Sequence, residues 1–162
     1  MATVVIDDHL LRDVLTGNRP TDLEGIATAL ATTGLWLFRL SSALASPDVV
    51  GKLTAPVAAL SAEQQEVFRA RLVALPDEIK VLSLRELAWP MALLQHRHGR
   101  DGRPLSAAMA EALAAAHSVG GAIAVSSQDV GPNLKASAEH DHVIIGHVDS
   151  SVPACSATMY AA

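Results

Sequence analysis

The 162-residue chain reads as a three-layer α/β/α protein with a mostly parallel sheet of about five short strands. Two observations predict this. Short apolar or β-branched runs of strand length alternate with longer stretches in which Leu and Ala recur at helical spacing, the pattern of a parallel sheet covered on both faces. Half of the residues are hydrophobic yet only 3% are aromatic, so the core consists mainly of Ala, Leu and Val, which lets helices pack closely on a sheet.

The elements follow in order. Val4-Val5-Ile6 is a β-branched first strand, and Leu10, Leu11, Val14 and Leu15 give the first helix, with Asp8 as its expected cap and Gly17 as its stop. A turn around Asn18 to Asp22 leads through a short helical piece to a second strand ending at Thr32-Thr33, where one threonine caps a helix over Gly34 to Ala45. Ser46-Pro47-Asp48 opens a helical region through Leu60, interrupted at Pro56, and Ser61 with Gln64 forms a capping box ahead of the helix Gln65 to Leu75. Ile79 to Leu84 is the third strand. A helix from Arg85 to His96, distorted at Pro90, gives way to a basic glycine-containing loop and then to a helix over Leu105 to His117. Gly120-Gly121 separates that helix from the fourth strand, Ala122 to Val125. After Gly131-Pro132 come a short helix to Ala138 and a fifth strand, His142 to Ile145.

Residues 1–148 are expected to form one domain and 149–162 a flexible C-terminal tail. The net charge of −5 gives no global attraction to nucleic acid. Cys155 is the only cysteine, so no intramolecular disulfide forms. The start of the chain lacks the pattern of a signal peptide, and the uncharged stretch Gly25 to Phe38 is too short to span a bilayer. The expectation is a cytoplasmic protein with no membrane partner.

In a parallel sheet, ligands gather beyond the carboxyl ends of the strands, and those ends carry a family resemblance. VVIDDHLLRDVL, ATTGLWLFRLSSAL and the stretch from IKVLSLRELAWP to SSQDVGPNL resemble, respectively, the opening strand-Asp-helix, the Thr-Thr-helix segment and the closing half of a PIN domain, the fold of VapC-type toxin ribonucleases. The resemblance implies about four clustered acids holding one or two Mg²⁺ or Mn²⁺ ions for phosphodiester cleavage, a need met by hard carboxylate oxygens. It places those acids at Asp7, Arg39, Met109 and Ser127, so one acid is retained and three are replaced, a degenerate site. A guanidinium near a divalent ion is repelled by about 2 kcal/mol even in water-like screening at ~5 Å. No cofactor is therefore expected. If cleavage persists, Asp7, Asp8 and Asp129 are the metal ligands, for Mg or Mn. Glu111, about 200° around a helix from Met109, is expected to face elsewhere.

Arg97, Arg100 and Arg103 form the densest basic run and are the candidate contacts for RNA or an acidic partner. His96, His98, His140, His142 and His147 read as solvated side chains, and Asp141 as pointing away from its neighbouring histidines. The leading expectation is a PIN-like protein that has lost nuclease activity and binds RNA, an antitoxin-like protein or a second copy as a homodimer. The alternatives are a metal-dependent ribonuclease with a reduced acidic site and a small-molecule-binding doubly wound domain. If the cluster is degenerate, Arg39 should pair with Asp7 or Asp8.

Overall fold

The computed structural model describes residues 3–26, 29–46, 48, 50–126 and 131–148. Chain order is β1 (Thr3–Ile6), α1 (Asp8–Leu15), α2 (Thr21–Ile26), β2 (Ala29–Thr33), α3 (Gly34–Leu44), α4 (Ala55–Ala58) and α5 (Ala62–Val73). Then follow β3 (Ile79–Leu82), α6 (Leu84–Arg100), α7 (Ala107–Val119), β4 (Ala122–Ser126), α8 (Pro132–His140) and β5 (Ile145–Val148). The five strands are all parallel, in the order β3-β2-β1-β4-β5. β1 is thus central. The chain builds outward from it on one side through β2 and β3, then returns to add β4 and β5 on the other.

Period-2 alternation sorts the strand side chains between two cores. Val5, Ala31, Ile123 and Val125 face α6, α7 and α8, where they meet Leu87, Met91, Leu94, Leu113 and Leu134. Val4, Ile6, Leu30 and Ala124 face the other way, toward Leu10, Leu11 and Leu15 of α1 and toward Leu23, Val57 and Phe68. Helix α3 contributes to both, through Trp36 on the first side and Leu40 on the second. Ala110, Ala112, Ala114, Ala115 and Ala116 of α7 are all buried. Their small side chains let this helix lie close to both the sheet and α6.

Several local signals act as the sequence predicts. Thr33 caps α3, its hydroxyl accepting from Trp36 N at 3.3 Å. Ser61 and Gln64 form the reciprocal capping box of α5. Other elements differ. The cap of α1 is Asp7, not Asp8. The region before Leu60 condenses to the four-residue α4, with Pro56 in its first turn. Helix α6 runs through Pro90 and on to Arg100, so the basic run lies mostly on its last turns and not in a loop. The fifth strand is Ile145–Val148 instead of His142 to Ile145. His140 ends α8, and His142 takes a left-handed conformation (φ 58°) in the turn between them. The expected tail, 149–162, lies outside the described residues. No helix of the described residues is long and apolar enough to cross a membrane.

Gly121 joins α7 to β4 where they pass β1. A Cβ there would stand 2.1 Å from the backbone carbonyl oxygen of Thr3, which has no flexible end to yield. Gly121→Ala is expected to cost about 1–3 kcal/mol, toward the upper end, through displacement of β1 or β4. Urea unfolding of the two proteins measures it.

Candidate functional site

In this strand order the direction of winding reverses between β1 and β4, the position where open parallel sheets hold ligands. Asp7 stands there, at the carboxyl end of β1, fully buried. Its Oδ1 accepts from Leu10 N at 2.8 Å, capping α1, and its Oδ2 accepts from Ser126 N at 2.7 Å, at the end of β4. Its own N–H donates to Ala124 O at 3.2 Å. The carboxylate therefore joins one helix start to two strand ends.

Asp8 is also fully buried, and Arg39 reaches it from α3 with Nε 2.8 Å from Oδ2. The arginine side chain is 47% exposed, so the pair spans from protein interior to solvent. A buried carboxylate needs such a counter-charge, because desolvation without a partner is prohibitive. The sequence leaves Asp7 and Asp8 open as the partner of Arg39; the structure shows the pair with Asp8, and backbone N–H groups reach both Asp7 oxygens.

Glu111 corrects the expectation that it turns from this region. It is fully buried on α7, and its Oε2 accepts from Leu35 N, in the first turn of α3, at 2.8 Å. An acid supplied by a neighbouring helix thus satisfies an orphan N–H at the positive end of α3. Met109, two residues earlier, points instead toward Gly131 beyond β4. Thr32 adds a further tie, its hydroxyl donating to Ile6 O at 3.1 Å. Ser127 and Asp129 lie outside the described residues.

Two of the acids at this edge are engaged in the protein's own contacts. Asp8 is held by a guanidinium, and both oxygens of Asp7 accept backbone hydrogen bonds.

One buried network here escaped sequence reasoning. Arg12, on α1, is fully buried, bonds Asp13 through Nε at 2.8 Å, and donates from Nη1 to Lys52 O at 3.1 Å and Leu53 O at 3.2 Å. It fastens the 51–54 turn to α1. The His9 and Arg12 spacing on one helical face was its only signal, and that spacing is equally common on solvated faces.

The structure gives two of the three arginines of the basic run an acidic partner. Arg97 pairs with Asp141 at 2.5 Å, Arg103 pairs with Asp101 at 3.0 Å, and Arg100 is exposed. Asp141 itself is a hub. His98 Nε2 lies 3.0 Å from its Oδ2, His140 Nδ1 lies 3.0 Å from its Oδ1, and His117 Nε2 lies 3.5 Å from Oδ2. His98 is fully buried, contrary to its expected solvation, and Asp141 turns toward the histidines, contrary to its expected orientation. Burial acts to raise the Asp141 pKa, but hydrogen bonds from His140 and His98 and the charge of Arg97 outweigh it and hold the carboxyl at about 2, below its ordinary 3.8.

No family model matches the sequence, and no curated protein matches it significantly. Solved structures do match the fold. The structure of FitAB bound to an IR36 DNA fragment superposes with a TM-score of 0.53 at 12% identity, over 89% of this chain and 94% of that one. FitAcB from Neisseria gonorrhoeae gives 0.51 at 16% identity, over 88% of this chain and 95% of that one. The fold is PIN-like, as the resemblance implied.

Asp7→Ala removes a helix cap and strands Ser126 N–H in the interior, so a loss of about 2–4 kcal/mol is expected in urea unfolding. Asp141 supplies a pH dependence. Its folded pKa lies below the unfolded value, so the unfolded chain binds the extra proton. The contribution is complete above pH ~4 and disappears as pH falls from ~4 toward ~2. Unfolding curves across that window should show the decline, and Asp141→Asn should reduce its slope.

Proposed function

We propose that this PIN-like chain no longer cleaves RNA with metal ions and acts by binding a protein partner. The observation that carries the proposal is the Arg39 to Asp8 pair at 2.8 Å. At the position the resemblance gives to a metal-binding acid, a cation neutralises a buried carboxylate, and a divalent ion brought there would meet its repulsion.

A surface supports the binding half of this reading. On α6, Trp89 is 72% exposed and Leu93 51% exposed, beside a groove of about 430 Å³ between α6 and α7 lined by Pro90, Leu94, His96, Arg97, Ala114 and His117. An exposed aromatic next to aliphatic side chains, rimmed by Arg and His, has the composition of a protein interface. The resemblance to VapC-type toxins suggests an antitoxin-like occupant, and a neighbour of the same fold, FitAB, has been captured on DNA. The second reading is a ribonuclease with a reduced acidic site. Glu111 favours it, because this third buried acid near the sheet edge leaves Oε1 without a hydrogen-bond partner.

Incubation of the full chain with single-stranded RNA in Mg²⁺ or Mn²⁺ decides between them. No cleavage above a buffer control is expected, and the native chain should retain a protein partner that Trp89→Asp/Leu93→Asp loses. Cleavage that vanishes in a folded Asp7→Asn variant would establish the ribonuclease instead.

A further inference from the structure

Three helices end around Asp141. His98 lies in the last turn of α6, His117 in the last turn of α7, and His140 and Asp141 are the final residue and the C-cap of α8. The C-terminal turn of a helix presents unpaired carbonyl oxygens and the negative end of its dipole, so this point of the fold favours a cation from three directions. Its side chains are also those that transition metals select, neutral imidazoles and one carboxylate.

We propose that His98, His140 and Asp141 form a binding site for a divalent transition metal ion such as Zn²⁺, with water completing its coordination. One ligand atom from each of His98, His140 and Asp141 lies within 4.8 Å of the others. The two histidine nitrogens each stand 3.0 Å from an Asp141 oxygen, and His117 Nε2 stands at 3.5 Å. Ligands about 2.0–2.2 Å from one zinc ion sit roughly 3–3.5 Å from each other, so the groups are already near their bound spacing.

The chemistry of His98 favours the site further. Its ring is fully buried and packs edge-on against His140, with centroids 5.5 Å apart, and its Nδ1 has no hydrogen-bond partner. In the metal-free chain Nε2–H donates to Asp141 Oδ2 at 3.0 Å, and Nδ1 is the nitrogen that takes the proton when Nε2 gives its lone pair to the metal. Arg97 is the competitor, since it occupies Asp141 Oδ2. Its side chain is half exposed, so the guanidinium has solvent to move into when it leaves the carboxylate.

The test titrates the full chain at neutral pH with Zn²⁺ by calorimetry and with Co²⁺ by visible absorption. One equivalent should bind, and Co²⁺ should show the bands of a four-coordinate ion. His140→Gln changes a half-exposed side chain and should fold normally by circular dichroism, yet lose about tenfold or more in affinity. His147→Gln, exposed on β5, should bind as the unmodified chain does. Arg97→Ala should bind more tightly, because it removes the competing cation. Absence of saturable binding overturns the proposal. So does undiminished affinity in His140→Gln, which moves the ion elsewhere, or a failure of Arg97→Ala to tighten it, which takes the ion off Asp141.

Discussion

The Asp7 carboxylate is the joint on which the fold turns. A parallel sheet whose winding reverses beside its central strand leaves a gap at the carboxyl ends of β1 and β4, where backbone N–H groups have no ladder partner. Asp7 fills that gap with two oxygens, one for the start of α1 and one for Ser126 at the end of β4. A buried charge is tolerable when each oxygen receives a well-placed donor. Here both oxygens complete the protein's own hydrogen bonding.

The neighbouring charges follow the same logic. Asp8 has Arg39, and Glu111 has the first turn of α3. Arg12 is satisfied by Asp13 and by two carbonyl groups of the 51–54 turn. Each tie links elements distant in sequence, so the carboxyl edge of the sheet is held by polar contacts, while the two faces are held by aliphatic packing. The carboxyl edge of the sheet thus carries charges tied into the protein's own contacts, and function has to be argued from the site and not from the architecture.

The far end of α6 shows charge arranged for a different purpose. Four groups able to carry positive charge converge on Asp141 from three helix ends. The carboxylate locks α8 to α6 and α7, and the same convergence creates a concentrated set of metal-preferring ligands away from the sheet edge.

Much of this was legible in the sequence because it depends on neighbours along the chain. The alternation of strand and helix, the Thr33 cap, the Ser61-Gln64 capping box and the small-residue core all follow from local propensity and periodicity, which act over a few residues. The choice of Asp8 as the partner of Arg39, the turning of Glu111 into α3, the burial of His98 and the late start of the fifth strand were decided only by tertiary structure. For the three side chains the deciding contact comes from an element tens of residues away: α3 for Asp8, α3 again for Glu111 and the end of α8 for His98. A histidine or glutamate on a helix carries the same local signal whether it meets water or a buried partner, so its role is settled by what the fold packs against it.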